Sequence, residues 1–129
     1  MAVVNLIVVL ALLQFMAFAT AVGRAREKYN VPAPATSGNE VFERYFRVQM
    51  NTLELLIVFV PGIWLFAFYS NARVAAGLGA VYLIGRCIYF FAYVKEPRKR
   101  SLGYALSAAP VAALLIGALV GTVRAVIHH

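Results

Sequence analysis

From Ala2 to Ala21 the chain carries no charged side chain, and its polar members are Asn5, Gln14 and Thr20. A helix rises 1.5 Å per residue, so about 20 such residues cross a hydrocarbon core of about 30 Å. Lipid offers backbone amides no hydrogen-bond partner, and a helix satisfies them internally. Three further predominantly apolar runs follow, at 42–69, 74–94 and 102–126. The expected fold class is therefore all-α: an integral membrane four-helix bundle, one domain over residues 1–129, with spans near 2–22, 42–69, 74–94 and 102–126. Composition agrees. The 129 residues are 63% hydrophobic and 13% charged, more apolar surface than a soluble domain of this size can bury. A secretory signal peptide is the competing reading of the first run, but that run lacks a basic leader and is too long.

The segments between the runs are polar and short. Gly23–Glu40 holds Arg24, Arg26, Glu27 and Lys28, then Pro32, Pro34 and Gly38, and reads as the first loop. Asn39, with Glu43 downstream, is a candidate start for the second helix. Ser70–Arg73 reads as a tight turn and Lys95–Arg100 as a short basic loop. The first and third loops contain Arg24, Arg26, Lys28, Lys95, Arg98, Lys99 and Arg100, with Arg44 and Arg47 beside them; the opposite side has only Arg73 and Arg124. That asymmetry predicts cytoplasmic first and third loops and both termini on the far side. The net charge of +7 thus follows from membrane topology and calls for no nucleic-acid partner. The single cysteine, Cys87, forms neither an intramolecular disulfide nor a zinc site. Inside an apolar run it reads as a packing residue.

The informative stretch is FERYFRVQMNTLELLIVFVP, from Phe42 to Pro61. It carries Glu43, Arg44, Arg47, Gln49, Asn51 and Glu54 towards or into the bilayer. A carboxylate at membrane depth costs a few kcal/mol on insertion scales, so it marks a functional position. At 100° per residue, Arg47, Asn51 and Glu54 fall within about 60° of one another, and Gln49 points the opposite way. In the third run Tyr82, Arg86, Tyr89 and Tyr93 form a second polar stripe. Arg86, at mid-span, requires a polar partner, and Glu54 is a candidate.

Together these residues describe a pocket for a small polar molecule bearing carboxylates and an amine. Arginines clamp carboxylates with forked hydrogen bonds, Glu54 can hold an ammonium, and a lipid-soluble partner can arrive from the apolar side. Blander readings compete. Topology alone accounts for the basic loops, and interfacial packing accounts for tyrosines such as Tyr82 and Tyr89. Asn51 with Glu54 in an apolar run is harder to explain structurally.

The residues resemble a known family. FERYFRVQMNTLE is similar to the signature of the MAPEG superfamily, the membrane-associated proteins of eicosanoid and glutathione metabolism. VYLIGRCIYFFAYVKEPRKRSLGY, from Val81 to Tyr104, is similar to that family's third helix and third loop. The resemblance runs roughly from Arg24 to Tyr104 and is nearest to the microsomal glutathione transferases of the second and third types. It implies a homotrimer and glutathione as co-substrate, with no metal. It implies that Arg47, Asn51, Glu54, Tyr89 and Tyr93 bind glutathione, and that Arg100 is the catalytic group stabilising its thiolate. It further implies that Arg26 and Gln49 reach the site of a neighbouring subunit. Two departures stand out. Leu55 follows Glu54 where the family often has tyrosine, and Glu27 stands where leukotriene C synthase has a second arginine. Arg47, absent from the family's non-catalytic lipoxygenase-activating branch, is retained.

The expected function is a membrane-bound glutathione S-transferase acting on hydrophobic electrophiles, with peroxidase activity toward lipid hydroperoxides as a possible extension. A non-catalytic membrane scaffold binding lipid or glutathione is the second reading. A small multidrug exporter is the third, disfavoured because its membrane glutamate would stand in the first span, which here is uncharged. The short chain without a retrieval signal points to a bacterial inner membrane rather than an organelle.

Overall fold

A computed structural model describes residues 1–129. The helices are α1 (Ala2–Tyr29), α2 (Glu40–Tyr69), α3 (Ala72–Lys95) and α4 (Ser101–Ile127), with a 3-10 turn at Pro97–Arg100 leading into α4. All four are long and apolar enough to span a membrane.

The main departure from expectation is in α1. The segment beginning at Gly23, expected to be loop, remains helical to Tyr29. Its sequence, GRAREKY, is rich in good helix formers, so the helix leaves the apolar run without breaking. It stops at Asn30, which adopts the left-handed conformation with φ 56°; asparagine tolerates that geometry better than most residues. Asn39 caps α2 as expected, accepting a hydrogen bond from the Phe42 amide at 3.0 Å. Asn71 caps α3, accepting from the amides of Arg73 and Val74 at 2.8 and 3.0 Å. α2 continues as a helix through Pro61.

The largest core cluster lies toward the end opposite the basic loops. It joins Val4, Ile7, Val8 and Ala11 of α1, Phe59, Ile63 and Phe66 of α2, Tyr82 of α3 and Leu114 of α4. The outward faces are equally apolar: Ile57 and Phe91 are each 67% exposed. That is the pattern of a bundle solvated by hydrocarbon. Apolar burial gives such helices little net attraction, so polar side chains and close packing must tie them together. The polar residues of α1 do this. Gln14 Nε2 donates to the Leu83 carbonyl at 2.9 Å and to Cys87 Sγ at 3.2 Å. Asn5 Oδ1 accepts from Trp64 Nε1 at 2.9 Å. Cys87 itself is exposed, a correction to its reading as a packing residue.

The closest approach is between α3 and α4. A Cβ on Gly85 would lie 2.6 Å from the Leu106 carbonyl carbon. One on Gly103 would lie 2.5 Å from Tyr89 Cα. Only glycine permits backbones this close.

Candidate functional site

The rim site is built by three helix ends. Arg47 and Asn51 come from α2, Tyr89 and Tyr93 from α3, Arg100 from the 3-10 turn and Tyr104 from the start of α4; together they line a pocket of about 430 Å³. Arg47 and Asn51 are one turn apart on one helix face, as are Tyr89 and Tyr93. Arg100 and Tyr104 repeat that spacing. The Tyr89 and Tyr93 rings are 5.4 Å apart, and Tyr89 is 6.3 Å from Tyr104. Gly103 brings the α4 backbone against Tyr89 and so fixes how near Arg100 and Tyr104 stand to the α3 tyrosines.

Below this pocket is a polar anchor centred on Arg86, which is fully buried. Its Nε donates to Ser107 Oγ at 2.8 Å. Its Nη1 donates to Asn51 Oδ1 at 2.7 Å and to Thr52 Oγ1 at 3.1 Å. Its guanidinium carbon lies 4.3 Å from the Tyr89 ring centroid, within cation–π range. Arg86 thus ties α2, α3 and α4 at one point. No carboxylate takes part. The expected pairing with Glu54 is not made, because the buried stripe of α2 is Val48, Thr52, Leu56 and Phe59. Glu54 sits on the opposite side of the helix from Thr52 and is exposed.

This anchor also sets the polarity of Asn51. Arginine has only donors, so Asn51 must meet it with its carbonyl oxygen. Its amide N–H groups are left for the pocket, whose two guanidiniums are also pure donors. The site therefore suits a ligand rich in anionic or acceptor oxygens, or a thiolate.

Of the residues expected at the site, Arg47, Asn51, Tyr89, Tyr93 and Arg100 are brought together. Glu54, Gln49 and Arg26 are outside this pocket. Arg26 Nη1 donates to the Val31 and Ala35 carbonyls at 3.3 and 2.7 Å and its guanidinium lies over the Phe42 ring at 4.9 Å. It folds the first loop onto α2. Arg44, one of the basic cluster, is also committed elsewhere: its Nη1 donates to the Val94 and Lys95 carbonyls at the end of α3. Tyr104, Thr52 and Ser107 are additions to the set expected from the sequence. A signal existed for two of them, since Arg100, Tyr104 and Ser107 follow an i, i+4, i+7 spacing on one helix face.

The sequence profile of the MAPEG family matches residues 3–120. The chain belongs to the MAPEG family. Among its relatives is an uncharacterised Synechocystis protein, 50% identical over 114 residues, which are 88% of this chain and 83% of that protein. Human microsomal glutathione S-transferase 2 is 44% identical over 103 residues, covering 79% of this chain and 70% of the relative. Rat leukotriene C4 synthase is 32% identical over 120 residues, covering 87% and 80%. The MAPEG pocket described above lies within the matched span, with every lining residue included.

Proposed function

We propose that this MAPEG protein is a membrane-bound glutathione S-transferase. The observation that carries the reading is the convergence of Arg47, Arg100, Asn51 and three tyrosines in one donor-rich pocket at the basic-loop end of the bundle. Relatives bearing the glutathione transferase name at 40–44% identity support the choice of thiol.

Glutathione brings two carboxylates and a thiol. Arg47 and the Asn51 amide are placed to bind acceptor oxygens, and the tyrosine hydroxyls to complete the shell. The thiol is mainly protonated at neutral pH and the thiolate is the nucleophile. Arg100 supplies positive charge that favours the ionised sulfur, whose proton passes to water. The thiolate attacks an electrophilic carbon; the new S–C bond forms as the leaving group departs with its electron pair. The electrophile is apolar on this reading, because the pocket lies on helices whose outer faces meet hydrocarbon.

The same proposal includes a homotrimer with sites between subunits. Glu54 is exposed within an apolar span, beside exposed Leu53 and Ile57, and a neighbouring subunit would relieve that cost. Arg26 and Gln49, outside this pocket, would serve the neighbour's. The basic loops would face the cytoplasm.

Two measurements test the function together. Glutathione should stabilise the detergent-solubilised chain, increasingly with concentration, and an apolar aryl halide should be conjugated. Stabilisation without turnover on any of several apolar electrophiles would leave a binding scaffold. Absence of both would remove glutathione from the site.

A further inference from the structure

A second cavity, of about 610 Å³, lies on the α1 side of the molecule and shares no residue with the donor-rich pocket. Its apolar wall includes Ala17 and Ala21 of α1 and Phe90 of α3, with Tyr45 of α2 beside them. Arg24 and Lys28 stand at its upper end. Ala17, Ala21, Arg24 and Lys28 fall within about 60° on the helix, so one face of α1 runs from apolar to cationic along the groove. This arrangement exists only because α1 stays helical past the apolar run. A helix of 28 residues is about 42 Å long, so its last two turns reach beyond a hydrocarbon core of about 30 Å into the headgroup layer.

The two cations have no anionic partner. The chain's ion pairs are Arg44 with Glu40 and Lys99 with Glu96. Arg24 makes no hydrogen bond, and Lys28 lies over the Tyr29 ring at 5.5 Å. The nearest acidic residue in sequence, Glu27, lines a different hollow with Arg26, Asn30 and Pro32, and no carboxylate lines the groove. The apolar wall offers little competition for a headgroup: the Thr20 hydroxyl already donates to the Met16 carbonyl at 3.0 Å.

From this charge complementarity we propose that the groove is a binding site for an anionic phospholipid. Its phosphate sits between Arg24 and Lys28, and one acyl chain lies along Ala17 and Ala21 against Phe90. Ala17, Thr20, Arg24 and Lys28 are exposed, so the groove is open on the bilayer side and the second chain can remain in the membrane. Two adjacent cations at headgroup depth give preference for an anionic over a zwitterionic head. The proposal rests on the fold and the charge pattern and is independent of the glutathione reading.

The test titrates phosphatidylglycerol or phosphatidylcholine into the full-length detergent-solubilised protein and reads bound lipid by native mass spectrometry. Phosphatidylglycerol should bind preferentially, and the double variant Arg24→Gln/Lys28→Gln should lower that preference about tenfold, with unchanged thermal stability in the absence of lipid. Arg24→Lys/Lys28→Arg should keep the preference, as should Arg98→Gln/Lys99→Gln in the third loop. Ala21→Phe, which fills the groove, should reduce retention of both lipids. Equal binding of the two lipids by the native chain would overturn the proposal. So would a preference that survives in the double glutamine variant, or one that follows Arg98 and Lys99. Oleate displacing phosphatidylglycerol at equal concentration would replace the phospholipid by a free fatty acid and overturn the assignment as stated.

Discussion

Arg86 and Arg100 carry the same guanidinium, the first below the donor-rich pocket and the second lining it, yet they are used in opposite ways. Arg86 is fully buried, donates to three side chains and touches a tyrosine ring. Arg100 is exposed, and its one hydrogen bond goes to the Pro97 carbonyl within its own turn at 3.1 Å. The first guanidinium commits its Nε and Nη1 to architecture, with Nη2 buried and without a partner; the second remains available to a ligand. Asn51 connects them, because it accepts from Arg86 on one side and lines the pocket with Arg100 on the other. The difference teaches that charge in this membrane site is divided between a group that orients the walls and groups left free to meet a ligand.

The sharpest way to break this division is Arg100→Ala. Turnover should fall about 10²–10³-fold, the scale for losing one preorganised charge-stabilising donor, while glutathione affinity and thermal stability change little. Equal losses in binding and turnover would move the thiolate role elsewhere.

Asn51→Asp tests the link. Aspartate still accepts from Arg86, and the contact becomes an ion pair, so thermal stability should hold. The donor facing the pocket is lost and a negative charge replaces it. Glutathione affinity, read by calorimetry or thermal shift, should drop by tenfold or more, about 1.4 kcal/mol per tenfold. Unchanged affinity would show that Asn51 serves only as an acceptor for Arg86.

Gly103→Ala acts on geometry without touching charge. The added Cβ meets the Tyr89 backbone, and a helix backbone cannot yield locally as a side chain can. Stability should fall by about 1–3 kcal/mol, the usual cost of overpacking. Turnover should fall too, since Arg100 and Tyr104 ride on the displaced turn. A stable variant with normal kinetics would show that the α3–α4 distance does not control the site.

Arg86→Met should cost less stability than Gly103→Ala. Thr52 and Ser107 remain hydrogen-bonded through their donation to the Val48 and Gly103 carbonyls at 2.8 and 2.7 Å. Removing an uncompensated buried charge offsets part of what is lost. The cost should be about 1 kcal/mol, near the average for hydrogen bonds between membrane helices. Glutathione affinity should fall more visibly, because Asn51 and Tyr89 lose their common anchor. A collapse of the fold with no separate effect on binding would make Arg86 purely structural.

Much of the architecture was legible because the bilayer imposes a one-dimensional rule. Run length and helical periodicity located the four spans and placed Arg47 with Asn51, and Tyr89 with Tyr93. The cap at Asn39 is local chemistry of the same readable kind. Arg24–Lys28 read as loop because they lie in one polar stretch with Pro32, Pro34 and Gly38, although their own helix propensity favours continuation to Tyr29. Tyr104 and Ser107 were missed for a different reason: they gain meaning only when α4 is laid against α3.

By itself the sequence determined that this chain crosses a membrane four times and must place polar residues within those crossings. Both properties depend on length, periodicity and the cost of exposing polar groups to hydrocarbon, all of which are local. The tertiary structure decided who partners whom. Arg86 takes Asn51, Thr52 and Ser107 rather than Glu54, since rotation of α2 turns Thr52 inward and Glu54 out. Arg44 closes the end of α3, whereas Arg47, three residues on, opens into the pocket. These choices depend on interhelical rotation and on backbone approaches as close as Gly103 to Tyr89, which no single helix's pattern contains.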